Sequence, residues 1–239
     1  MSDLYSLYKF YRITPHFLKS LVNNTLWCAA TETLNDPFDC QIHLLKLLTD
    51  AQALAVSPIK EKLSHALGKD KKPIIEKITQ KLKSVGVCAF SIQGDHPLMW
   101  SHYADGHKGV CLRYEFPSFF FEMKKNILLG CDNVTYSKNR LTEQFEKGFI
   151  FNDLSKFTTV YLTSKDKPWE YENEFRILSH SPGPLKLPMG YLTQVCFGLR
   201  TPEEDIELVK KLATQFAGIH KFHQMKHGPD DFGLQIRQI

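Results

Sequence analysis

The sequence predicts an α+β fold: one domain over residues 1–239, built on a mixed, mainly antiparallel sheet, with a helical insertion near residues 41–84. Two observations carry this. Segments of strand length are numerous and several follow one another directly, without the strand–helix alternation of a doubly wound sheet. Between residues 41 and 84 the pattern changes. Leu, Ile and Ala recur there at three- and four-residue spacing, broken by Ser57-Pro58 and by GKDKKP at 68–73, which reads as two or three helices. The chain is 43% hydrophobic and 12% aromatic, enough to bury one large core.

In chain order, residues 4–12 (LYSLYKFYR) read as a strand. A helix follows in ITPHFLKSLVNNT, with Thr14 as N-cap, Pro15 at the first helical position and Phe17, Leu18 and Leu21 as its apolar stripe. LWCAA is a second strand, and TETLNDPFD is a turn-rich loop, because Asn and Asp ahead of Pro start turns through their own side chains. After the insertion, residues 85–92 (VGVCAFSI) form a buried strand, 97–105 (PLMWSHYAD) a short helix and 109–116 (GVCLRYEF) a strand. Residues 117–126 and 139–165 have helical character, with a strand at 134–136 between them. Residues 170–178 read as a strand, SPGPLKLP as a loop and YLTQVCFGLR as a strand. TPEEDIELVKKLATQF is an amphipathic helix capped by Thr201 and begun by Pro202, with Ile206, Val209, Leu212 and Phe216 as its stripe. Residues 219–225 and 231–237 close the chain as short strands.

Lys and Arg number 30 against 26 Asp and Glu, a net charge of +4 that permits a nucleotide or nucleic-acid partner without demanding one. The six cysteines contain no C-x-x-C pair and sit in apolar contexts, as reduced, buried thiols do. Cys40 and His43 have a C-x-x-H spacing, but no second pair follows at zinc-site spacing, so no metal site is expected. The N-terminus lacks the basic and apolar regions of a signal peptide, and no apolar run is long enough to cross a bilayer. A soluble, cytoplasmic protein with no membrane partner is expected.

Three segments carry chemistry. In KPWEYENEFRI, Glu170, Glu172, Glu174 and Arg176 recur at every second position, the period of a strand. Same-face neighbours then lie roughly 7 Å apart. At that spacing the carboxylates raise one another's pKa unless a cation intervenes, and Arg176 can relieve one by a two-pronged contact. KFYR (Lys9–Arg12) and NDPFD (Asn35–Asp39) form the second segment, with Asp36 or Asp39 beside a pocket or simply in a well-made turn. The third is residues 91–109. There Met99, Trp100 and Tyr103 share a helical face that reads first as core, and His96, His102 and His107 lack metal-ligand spacing.

Taken together, LYKFYR, LW followed by NDPFD, CAFS, MWSHYADGHKGVCL and W-x-Y-E-x-E-x-R resemble a bacterial family of unknown function, sometimes encoded near phage-defence genes, from about residue 5 to 236. More distantly, the order of elements resembles the ADP-ribosyltransferase fold. That fold has a basic residue on the first strand, an aromatic or hydroxyl residue midway and a late glutamate. This second resemblance implies NAD as substrate. Glu172, Glu174 and Tyr103 would be catalytic. Lys9, Arg12, Asn35, Asp36, Trp100, Ser101 and Arg176 would bind the cofactor, with no metal. It also implies an acceptor protein or nucleic acid, and a toxin or phage-defence effector with a possible antitoxin partner. Cleaving the nicotinamide–ribose bond passes through an oxocarbenium-like state that a placed carboxylate stabilises. Two other readings stand beside it. In a metal-dependent nuclease or phosphoesterase, Asp36, Asp39, Glu172 and Glu174 would ligate Mg²⁺. In a non-catalytic binding or regulatory module, Glu172 and Glu174 would pair with Arg176, Lys9, Arg12 or Arg113.

Overall fold

A computed structural model describes residues 4–40, 49, 72–124, 126–137, 154–228 and 233–239. The chain runs β1 (Leu4–Tyr11), α1 (Pro15–Val22), β2 (Thr25–Ala30), α2 (Lys72–Lys83), β3 (Gly86–Ser91), α3 (Pro97–Tyr103), β4 (Val110–Pro117), α4 (Phe119–Met123) and β5 (Leu128–Asn133). It continues through β6 (Thr135–Tyr136), α5 (Leu154–Leu162), β7 (Ser164–Lys165), a 3-10 turn (Lys167–Glu172), β8 (Glu174–Ser179), β9 (Gly183–Lys186), β10 (Leu192–Phe197), α6 (Glu203–Ala217), β11 (Phe222–His227) and β12 (Leu234–Gln238).

The fold is a mixed α+β one with a mainly antiparallel sheet. β1 pairs antiparallel with all of β4, from Leu4 opposite Pro117 to Tyr11 opposite Val110. β10, β11 and β12 extend that side, and among the described residues only the β10–β11 pair in this sheet is parallel. Alternation along β1 serves two cores on opposite faces. Leu7 joins the larger core with Phe17, Leu21, Phe116 and Ile177. Phe10 joins a smaller one with Met99, Trp100 and Met225.

The sheet forks at β3. One edge of β3 pairs with β8 from Gly86–Ser179 to Ser91–Glu174, and β5 covers the far side of β8. The other edge is shared: β2 takes its start at Gly86 and Val87, and β1 meets it only at Ser91, opposite Tyr8. In the opening between β1 and β2, the Lys9 ammonium donates to Ala89 O at 2.7 Å. The fork leaves room for a cavity against the end of β8.

Several local expectations hold. Thr14 caps α1, accepting from Phe17 N–H at 3.2 Å. Helix α2 falls inside the expected 41–84 insertion, whose residues 41–48 and 50–71 lie outside the described ones, as do 139–153 of the second helical stretch. Others are corrected. SPGPLKLP holds β9, because Leu185 and Leu187 are buried and an outer strand tolerates Pro184. Thr201 does not cap α6: its hydroxyl donates to Gly109 O at 2.9 Å, Pro202 takes the cap position, and Glu203, Glu204 and Asp205 meet the positive helix end. The buried stripe of α6 is Ile206, Val209, Ala213 and Ala217, and Phe216 falls off it into solvent. Among the described residues, no helix is long and apolar enough to cross a membrane.

Gly109, at the entry to β4, is a point of close backbone approach. A Cβ there would lie 2.1 Å from Tyr11 O and 3.0 Å from Ala104 Cα, both backbone atoms that cannot swing aside. Gly109→Ala is expected to cost about 1–3 kcal/mol, read as a lower midpoint in urea unfolding.

Candidate active site

The expected glutamate strand is only half a strand. Asp166 accepts from Lys167 N–H at 2.7 Å, Pro168 sits in the first turn, and Lys167–Glu172 winds into a 3-10 helix. A capping Asp followed by an early Pro is a helix-start signal, and it overrides the period of two. Asn173 ends the turn with φ 42°, a left-handed conformation that asparagine tolerates, and β8 begins at Glu174. Glu170 is therefore left exposed, and Trp169 and Tyr171 are only partly buried on the turn. Glu172 and Glu174 are brought side by side from two different elements.

Around them lies a buried ionic cluster. The Arg176 guanidinium, 1% exposed, donates to both carboxylate oxygens of Glu174 (Nε–Oε1 2.6 Å, Nη2–Oε2 3.0 Å). It also donates to both oxygens of Asp39 (Nη1–Oδ1 3.0 Å, Nη2–Oδ2 2.5 Å) and to Leu162 O at 2.7 Å. The two-pronged contact expected of Arg176 is thus made twice. Lys165 Nζ lies 2.5 Å from Glu172 Oε2, 3.4 Å from Glu174 Oε2 and 3.7 Å from Asp39 Oδ2. The second oxygen of Glu172 accepts from the Tyr103 hydroxyl at 2.5 Å, and that hydroxyl accepts from Asn35 Nδ2 at 2.9 Å.

The two glutamates differ in how fully they are satisfied. Glu174 takes two bonds from Arg176 and one from Lys165; Glu172 takes one from Lys165 and one from a neutral hydroxyl. Three carboxylates (Asp39, Glu172, Glu174) face two cations (Lys165, Arg176), so the cluster carries one excess negative charge when all are ionised. That excess falls on Glu172. Burial pushes its carboxyl above the ordinary glutamate value, and Lys165 and Tyr103 offset this only in part. Burial also works to raise Asp39, but the Arg176 and Lys165 charges outweigh it and hold that carboxyl low. Burial and the Glu172 charge keep the Tyr103 hydroxyl protonated well beyond its usual range, so it donates to Glu172.

These shifts set opposite pH dependences. Asp39 contributes stability that is present above the unfolded carboxyl value of about 4 and is lost as pH falls through its depressed folded value. Ionising Glu172 costs stability: the penalty is absent below about pH 4 and grows as pH rises through its raised folded value. Urea unfolding across pH is expected to show the parent well above Asp39→Asn at neutrality and the two curves converging as pH falls below about 4.

A cavity of about 110 Å³ opens beside the cluster. Of the residues singled out in the sequence, Lys9, Asn35, Tyr103, Glu172, Glu174 and Arg176 line it. The other four stand elsewhere. Arg12 is exposed just past β1, and Ser101 is exposed on α3. Asp36 is buried and accepts from Phe38 N–H at 2.9 Å as a turn residue. Trp100 is fully buried, donates its indole N–H to Gly94 O at 3.0 Å and meets the Phe10 ring edge-on. Asp39, weighed as an alternative to Asp36 and as a Mg²⁺ ligand beside it, and Lys165, not singled out at all, also line the cavity. Lys165 follows an apolar helix in TSKD, a context that reads equally as a solvated loop. Among the described residues, no three His, Cys, Asp or Glu side chains are placed to hold a metal ion.

Residues 99–177 match the model of a family described as a protein of unknown function (DUF2971). The matched span runs from α3 through most of β8, so it contains Tyr103, Lys165, Glu172, Glu174 and Arg176, while Lys9, Asn35 and Asp39 lie before it. It is narrower than the resemblance read from residues 5 to 236. Neither the curated proteins nor the solved structures give a match.

Proposed function

We propose that this cavity cleaves the nicotinamide–ribose bond of NAD, as an ADP-ribosyltransferase-like enzyme, with Glu172 as the reacting carboxylate. The observation that carries this is the state of Glu172: a buried, under-compensated carboxylate on the cavity wall, with Oε2 held by Lys165 and Oε1 accepting from the Tyr103 hydroxyl. In the substrate complex a ribose hydroxyl would take the place that the Tyr103 hydroxyl holds. The C1′–N bond breaks, its electron pair leaves with the nicotinamide nitrogen, and positive charge develops on the ribosyl ring. The positive charge thus passes from the nicotinamide ring to the ribosyl carbon, and an excess negative charge placed beside that carbon in a low-dielectric wall would stabilise the transition state more than the bound substrate. The acceptor, water or a group on a protein or nucleic acid, then attacks C1′ and loses its proton toward Glu172.

The room available suits the reacting end of NAD rather than the whole dinucleotide, since pockets for drug-sized ligands run to roughly 300–1,000 Å³. Lys9, on the cavity wall, is the cation that would hold a phosphate in this arrangement, with Arg12 exposed just past the end of β1. Consumption of NAD would fit a toxin or phage-defence effector. The metal-dependent reading has less support, because Lys165 and Arg176 already occupy the space between the carboxylates. A binding module is the second reading, favoured by the closed Asp39–Arg176–Glu174 set.

The test is nicotinamide release from NAD by the purified protein, alone and with cell lysate supplying acceptors, with and without chelator. Release that is unaffected by chelator is expected. No release in any of these mixtures would remove the NAD reading.

A further inference from the structure

We propose that Lys165 is the positioning residue that holds Glu172 in its reactive rotamer and ionised, which deepens the reading of Glu172 as the reacting carboxylate and rests on it.

The two residues sit on either side of one short excursion of the chain. Lys165 ends β7, held beside β6, and the Asp166-capped 3-10 turn carries the chain round to Glu172. Pro168 and the left-handed Asn173 fix that turn at both ends, so the seven-residue separation brings Glu172 Oε2 to 2.5 Å from Lys165 Nζ. The lysine is 3% exposed. Its ammonium lies 4.8 Å from the centroid of the Trp169 ring, on the same turn, which closes off another side of the cation.

No contact of Arg176 reaches Glu172; five of its six hydrogen bonds go to Asp39, Glu174 and Leu162 O, and the sixth, at 3.5 Å, to Cys40 Sγ. Lys165 is therefore the only described cation in contact with Glu172, and it ties that residue to the Arg176-centred set through Glu174 and Asp39. The groups around Glu172 are then Lys165 from β7, the neutral tyrosines Tyr103 from α3, Tyr136 from β6 and Tyr171 beside it on the turn, and Glu174 from β8, with Asp39 and Arg176 behind. Tyr103 is neutral and Glu174 is an acid. Removing the lysine charge leaves Glu172 with a like-charged neighbour and no counter-ion, which favours its protonated form. A protonated Glu172 cannot meet developing positive charge. The ammonium thus pins Oε2 and leaves Oε1 for the hydroxyl side.

The experiment is a pH titration of the protein labelled with ¹³C at glutamate carboxyls, with the Glu172 signal assigned by its loss in Glu172→Gln. In Lys165→Gln the Glu172 midpoint is expected to rise by at least one pH unit, a tenfold or greater gain in proton affinity. An unmoved midpoint would overturn the proposal. Should Lys165→Gln not fold, Lys165→Gln/Glu172→Gln serves instead, since it restores the parent's single excess negative charge. The double variant is then expected to fold and to melt above Lys165→Gln, and a double variant as unfolded as Lys165→Gln alone would overturn it. Neither readout uses NAD. A shifted midpoint without nicotinamide release leaves the positioning role standing and removes the substrate, whereas release with an unshifted midpoint does the reverse.

Discussion

Replacing Arg176 by methionine is expected to destabilise the protein by about 3–5 kcal/mol, the cost of leaving buried charge unpaired. Methionine fills a similar volume but donates nothing. The substitution removes six hydrogen bonds, four of them to the carboxylates of Asp39 and Glu174, one to Leu162 O and one to Cys40 Sγ. Both carboxylates are at most 5% exposed, so water cannot replace the guanidinium. Lys165 would then face three buried acids alone. In a chain of this length the melting midpoint is expected to drop on the order of 10 °C. A drop near zero would mean that the cluster is open to solvent and carries little of the fold.

Glu172→Gln should behave in the opposite way: nearly unchanged or higher stability, and a loss of about 10²–10³ in the rate of nicotinamide release, as when one preorganised group is removed elsewhere. The amide keeps the shape, so its oxygen can still accept from Lys165 and its NH₂ can donate to the Tyr103 oxygen. What it removes is the excess negative charge that burial penalises, leaving two carboxylates against two cations. A buried acid whose removal spares the fold and stops the reaction is held there for function, since a structural acid would be missed in the melting curve. Circular dichroism melts and release rates on the same preparation separate the two cases.

Much of the sheet was legible in the sequence. The strands of residues 4–12, 85–92 and 109–116 announce themselves by continuous apolar and aromatic runs, and β1, β3 and β4 lie within a residue or two of those bounds. Arg176 and Glu174 were legible as a same-face pair because i and i+2 share a face within β8. The rest depended on long-range geometry. Asp39 meets Arg176 across 137 positions, which no local pattern encodes. Lys165 was hidden because a lysine after a helix is ordinarily solvated, and only the buried carboxylates opposite make this one structural. Trp100 carried two readings, core from its helical face and cofactor binding from the distant resemblance, and the core reading matches its place: it is fully buried, its indole N–H donates to Gly94 O and its ring meets Phe10. The glutamate row misled at its start because strand alternation and a capped 3-10 turn both fit KPWEYE, and Asp166 with Pro168 decides for the turn.

The most direct test is to measure nicotinamide release from NAD by the parent and by Glu172→Gln at equal folded concentration. Release by the parent, reduced at least about a hundredfold in a variant that melts no lower, is the expected result. Release that persists in the variant, or a variant that loses its fold along with its activity, would contradict the assignment of Glu172 as the reacting carboxylate.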